Sequence, residues 1–195
     1  MSLVLPQTCE RALLERFLKA EAMALRSVRS AQAREVPPHV LAFLRRHEED
    51  EQAHLRRFEA LLGASSWDRM ALPKVPSQWW ALAVHLYGYE ALGLEFAKLL
   101  VGVRPDLASI LEDEEVHVRF FEEEIGRILA GGDGAAQGAR TAARAWWKRL
   151  PQTVDRYLGD ESLAPYRADL RRVLLDSIAR RLCRFGLLEG AFDSL

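Results

Sequence analysis

The peptide Glu49-Asp50-Glu51-Gln52-Ala53-His54-Leu55-Arg56-Arg57-Phe58-Glu59 returns 63 residues later as Glu112-Asp113-Glu114-Glu115-Val116-His117-Val118-Arg119-Phe120-Phe121-Glu122, with seven of eleven positions identical. Each copy holds Asp-Glu-x-x-His. On a helix, a carboxylate and an imidazole three residues apart share one face. Each copy is therefore a pair of candidate metal ligands, and two copies in a chain of 195 residues point to one site for two metals.

The surrounding pattern is helical, and no run has the period of two that marks a strand. A first helix is expected over residues 8–34, with Leu14, Phe17, Leu18, Leu25 and Val28 on its apolar seam. Pro37-Pro38 breaks it. A second helix runs to residue 62 and stops at Gly63; His47, Glu51, His54 and Phe58 lie on its seam. Residues 64–77 read as a crossover loop. A third helix spans 78–101 and is apolar on most sides, as a buried helix is. After the corner Arg104-Pro105-Asp106, a fourth runs to residue 130, with Ile110, Glu114, His117 and Phe121 on its seam. Two tail helices follow, over 136–158 and 165–187, and Pro151 kinks or restarts the first. The expected architecture is all-α: an antiparallel four-helix bundle with a central crossover, plus two C-terminal helices. Residues 1–134 form the bundle, and 135–195 a helical extension packed on it.

Glu51, His54, Glu114 and His117 thus face the bundle core. An unpaired buried carboxylate costs several kcal/mol, and a bound divalent metal offsets that cost. Bundle sites of this kind take one further Glu from each remaining helix. Glu21 lies between Phe17 and Leu25 on the first seam. It stands 15 residues before Val36, and Glu51 stands 15 after it. On the third helix Glu90 is 14 residues before Arg104, while Glu114 and His117 are 10 and 13 after it. Glu95, 9 before, is the alternative. Four carboxylates balance two divalent ions, and an oxygen-rich set with two imidazoles suits iron or manganese better than zinc. Asp50 and Asp113 are placed to orient the imidazole of the facing helix through its outer nitrogen. His47 is expected as a hydrogen-bonded core histidine or a proton-transfer neighbour. Its counterpart in the repeat is Ile110, which leaves it outside the symmetric set. Tyr87, one turn from Glu90, is expected to pack, with lining the cavity or carrying an oxidised equivalent beside the ligands as the alternative.

Glu21, Glu51-Gln52-Ala53-His54, Glu90 and Glu114-Glu115-Val116-His117 resemble the ligand pattern of the ferritin-like di-iron carboxylate superfamily over residues 8–130. The resemblance implies that Glu21, Glu51, His54, Glu90, Glu114 and His117 hold the metals and carry catalysis, and that the cofactor is a pair of iron ions, with Mn/Fe as the variant. The segments Tyr89-Glu90-Ala91-Leu92-Gly93-Leu94 and Asp113-Glu114-Glu115-Val116-His117-Val118 are similar to oxygen-activating members, the hydroxylases and N-oxygenases. The first two helices also resemble demethoxyubiquinone hydroxylases, although Leu18-Lys19-Ala20-Glu21 stands where those enzymes carry Asn-His-x-Gly-Glu. The implied activity is O2-dependent oxidation of a small or lipophilic substrate, with electrons from an external donor. A ferroxidase or peroxidase is the alternative within the family.

A third reading is a helical interaction protein with a structural metal. It draws on the charge asymmetry, since residues 1–134 carry 16 basic and 21 acidic side chains and residues 135–195 carry 11 and 7. The net charge of −1 gives no field for nucleic acid. Cys9 and Cys183 form no C-x-x-C pair, which argues against a rubredoxin-like centre, a zinc ribbon or a disulfide scaffold. With no leader-like N-terminus, a cytoplasmic protein is expected. Charges interrupt the apolar third helix, so no membrane span is expected. Trp79-Trp80 and Trp146-Trp147 read as core or interface, which leaves a homodimer open.

Overall fold

The structure, a computed structural model, describes residues 5–63 and 74–189. Among these residues it contains seven α-helices and no strand. Helices α1 (Glu10–Gln32), α2 (Pro38–Leu62), α3 (Trp79–Val103) and α4 (Ala108–Ala130) are long. Helices α5 (Asp133–Trp147), α6 (Leu150–Tyr157) and α7 (Arg167–Arg184) follow. Of the loop expected over 64–77, residues 64–73 lie outside the described residues.

Local chemistry sets the ends. Pro38 opens α2, where its missing N–H has no helical partner to lose. Gly63 closes it at φ 62° with its N–H on the Glu59 carbonyl, a left-handed turn that costs glycine nothing. Between α3 and α4, Pro105–Leu107 makes one 3₁₀ turn, and the Arg104 guanidinium grips Asp106 through two contacts of 2.7 Å. Pro151 is the second residue of α6, so the first tail helix restarts there rather than bending. Pro165 sits in a 3₁₀ segment, Glu161–Tyr166, and α7 begins only at Arg167.

Helices α1 and α2 pack along their length, as do α3 and α4, and α1 also packs on α3. Contacts at the ends give the directions. Arg104, just past α3, reaches Glu10 at the start of α1 at 2.7 Å. Arg57 near the end of α2 bonds the Asp106 carbonyl at 2.5 Å and Ser109 at 3.1 Å, at the start of α4. His39 at the start of α2 meets Glu124 near the end of α4 at 2.8 Å. Each of these pairs therefore runs in opposite directions.

Stacked rings fill the space between helices. Phe17 lies on Phe58 with centroids 5.1 Å apart, and Phe43 lies on Phe120 at 3.6 Å. The tail docks on α3 and α4 through α5, with Trp146 against Gly88. Helix α7 joins through Arg181 and Arg184, both 2.9 Å from Glu122 on α4. The tryptophan pairs are split in use: Trp146 is buried, while Trp79, Trp80 and Trp147 are partly buried against the core. No described helix is long and apolar enough to cross a membrane.

Candidate metal centre

Helices α1 to α4 each send a buried carboxylate to one place. Glu21, Glu51, Glu90 and Glu114 are at most 3% exposed, and His47, His54 and His117 at most 4%. Seven ionisable side chains packed this tightly among Phe17, Phe43, Phe58 and Phe121 are costly unless something charged joins them.

The seven fall into two groups. Glu21, Glu51, His54 and Glu114 each offer an atom to the first, and His47, Glu51, Glu90 and His117 to the second. Within each group the atoms lie within 4.8 Å of one another. Glu51 belongs to both. In the second, His47 Nε2 is 3.0 Å from Glu51 Oε1 and 3.3 Å from Glu90 Oε2, and His117 Nδ1 is 3.7 and 3.6 Å from the same oxygens. In the first, His54 Nδ1 is 3.6 Å from Glu21 Oε2. Two atoms each about 2.1 Å from one ion lie roughly 3.0 Å apart at a right angle and up to about 4.2 Å apart on opposite sides, so these spacings are compatible with a shared cation.

The outer nitrogens are held from across the interface. His54 Nε2 on α2 is 3.0 Å from Asp113 Oδ2 on α4, and His117 Nε2 on α4 is 3.2 Å from Asp50 Oδ2 on α2. An ionised carboxylate only accepts, so Nε2 carries a proton and Nδ1 is the nitrogen turned inward, free to bind a cation once it holds no proton. Those inward nitrogens have no hydrogen-bond partner, and neither do both oxygens of Glu21 nor Oε2 of Glu51. Buried polar atoms of a native fold are nearly always paired. Unpaired atoms converging on two points therefore fit divalent ions.

Electrostatics gives the same picture. Burial pushes the Glu21 carboxyl up to about 8, with the charges of Glu114 and Glu90 adding to it. Burial and neighbouring carboxylates hold Glu51 and Glu114 well above the usual range. Burial acts the same way on Glu90, but the His47 and His117 imidazoles outweigh it and hold that carboxyl far below. Burial opposes the imidazolium of His117, yet Asp50 and Glu90 raise it well above its ordinary value. Without a cation the cluster neutralises itself with protons.

The six residues expected from the repeat and its two partner helices are all in these groups, and the two aspartates stand behind the facing imidazoles. His47 is the buried, hydrogen-bonded core histidine expected, with its Nε2 3.0 Å from Glu51 Oε1. It also belongs to the second group, and its Nδ1 has no partner. Its place one turn before Glu51 on the same seam was the available signal. Its lack of a repeat counterpart pointed the other way. Of the two glutamates on α3, Glu90 joins the centre; Glu95 lies 2.8 Å from Lys98 and 3.7 Å from Arg181. Tyr87 turns away, its hydroxyl donating to Glu122 at 3.2 Å. Helix α3 is buried on nearly every side, so periodicity could not separate its metal-facing side from the side that meets the tail.

A cavity of about 210 Å³ opens on the centre, with Glu21, Glu51, Glu90 and Glu114 at its floor. The chain matches no known family model, no curated protein and no solved structure.

Proposed function

We propose that this chain is a non-haem di-iron carboxylate oxidoreductase of ferritin-like architecture, and that it uses O2 to oxidise a small or lipophilic substrate. The observation that carries this reading is the pair of donor groups sharing Glu51, with inward atoms left unpaired, at the floor of a cavity. The helix directions support the architecture. Helix α3 starts at the end of the assembly where α2 starts, so the two run parallel, as the second and third helices of a ferritin-like bundle do.

In this reading Glu21, His54 and Glu114 hold one ion, Glu90, His117 and His47 hold the other, and Glu51 belongs to both. Oxygen donors with imidazoles favour iron or manganese. A pair of ferrous ions held there would supply the reducing chemistry that activates dioxygen for substrate oxidation, with an external donor restoring the electrons used. The protein's own part is positioning. Asp50 and Asp113 fix the tautomer and tilt of the imidazoles. The aromatic walls exclude water, which strengthens every charge interaction inside.

The test is anaerobic loading with ferrous iron, followed by optical spectra on exposure to air. The expected result is uptake of about two ions per chain and oxidation faster than that of free ferrous iron, with loss of both in the Glu51→Ala variant. Uptake without accelerated oxidation would leave a structural metal and sink the oxygen-activating role.

A further inference from the structure

The cavity above the carboxylates has features that the metal centre does not need. Its walls come from α1, α3 and α6 and are mostly apolar: Phe17 and Ala24 on one side, Leu86, Leu92 and Phe96 on another, and Tyr157 from the tail. Tyr157 and Phe96 rings lie 5.4 Å apart and close one end. Met23 and Tyr89 also line it and are 42% and 39% exposed. The cavity therefore reaches solvent at these two residues, between α1 and α3. At the floor the α3 wall is thinned. Gly93 stands where a Cβ would come 3.0 Å from Glu114 Oε2, so the missing side chain keeps the carboxylate edge open to the cavity.

We propose that this cavity is the substrate site. It takes an uncharged, mainly apolar molecule about the size of one aromatic ring with a short substituent, which enters past Met23 and Tyr89. The proposal rests on reading the cluster as an oxidising metal centre. The size limit follows from volume: an apolar cavity of ~150 Å³ holds a benzene, and about 210 Å³ adds room for a few more heavy atoms. The charge limit follows from the walls. Above the floor carboxylates the polar groups are Ser27, His85 and the two tyrosine hydroxyls, with Lys74 exposed at the outer end. Burial and the Arg149 guanidinium push the His85 imidazole down to about 4, so it is neutral at pH 7. An exposed lysine binds an anion only weakly.

Fluorine NMR with 4-fluorotoluene tests this directly. With Zn(II)-loaded protein, saturable shift or broadening is expected. With Mn(II)-loaded protein, fluorine relaxation should rise sharply, because the probe lies against the ions. Ala24→Leu and Ala20→Leu fill the cavity from α1 and should each weaken binding at least ten-fold with metal content and circular dichroism unchanged. 4-Fluorobenzoate and 4-fluorobiphenyl should bind at least ten-fold more weakly than 4-fluorotoluene. Absence of saturable binding, binding without Mn(II) relaxation, indifference to both leucine variants, or equal affinity for the charged or larger probe would overturn the proposal. If the protein takes up neither metal, the oxidising-centre reading fails by itself. Loss of 4-fluorotoluene binding in both leucine variants would then still assign the cavity.

Discussion

Glu51 serves both donor groups, so its loss is felt twice. Glu51→Ala should abolish binding of both ions, read as metal per chain after dialysis, whereas His47→Ala removes a donor only from the second group and should leave one ion bound. The aspartates test the geometry without touching a ligand atom. Asp113→Asn and Asp50→Asn replace an acceptor-only partner of His54 or His117 with an amide that need not accept, and each should lower metal affinity about 10–100-fold. A competition titration against a chelator measures that. If both variants bind metal like the parent, the cross-helix pairs at 3.0 and 3.2 Å are incidental. Most of this was legible in the chain because spacing on an amphipathic helix fixes a face: two Glu-x-x-His runs on apolar seams can only look inward. The hydrogen-bonded core histidine at position 47 was legible; its membership of the second group was not, since that depends on how close α3 brings Glu90, at 3.3 Å, a distance between helices that no local pattern encodes.

At the scale of the helices, α3 is both the least legible and the most constrained. Its apolar residues face the partner helices on one side and the tail on the other, which is why Tyr87 could be placed beside Glu90 from sequence and yet points to Glu122. Its glycines record close approach. A Cβ on Gly88 would fall 2.3 Å from Trp146 Cε2, and one on Gly138 of α5 would fall 2.9 Å from the Trp80 ring. Alanine is the better helix former by about 1 kcal/mol, so an isolated α3 would gain from Gly88→Ala. In the folded chain the displaced indole should dominate, with a net loss of about 1–3 kcal/mol measured by urea unfolding. A stabilised Gly88→Ala protein would mean that α5 does not seat Trp146 against α3. The tail's basic character, open from sequence to a partner-binding reading, resolves largely into internal pairs. Arg181 and Arg184 meet Glu122, Arg171 meets Asp155 at 2.8 Å, and Arg167 bonds the Leu158 and Asp160 carbonyls. Composition alone cannot tell a binding patch from arginines that hold one helix to the next.

For the whole molecule, the buried cluster couples stability to both pH and metal. In the metal-free protein Glu21 has its carboxyl raised from an ordinary 4.5 to about 8. Between those values the folded state holds a proton that the unfolded chain has released, so this contribution is complete below about pH 4.5 and is lost as pH rises through about 8. Glu51, Glu114, His47 and His117 are raised as well, and each acts with the same sign above its own ordinary value. Glu90 is depressed; its contribution is present above 4.5 and lost only in acid, so it does not oppose the trend near neutrality. The urea midpoint with chelator present should therefore fall from pH 5 to pH 8. Metal reverses the sign. Ions compete with protons for the same atoms, so the stabilisation from added Mn(II) should grow over that interval. Glu21→Gln separates the two effects: without metal it should flatten the pH dependence and raise stability at pH 8, and with metal it should lose much of the added stability. A functional site that costs its fold stability when empty behaves this way. A metal-free protein with a flat pH profile, or a glutamine variant weakened without metal, would show that the carboxylates are paired by something else.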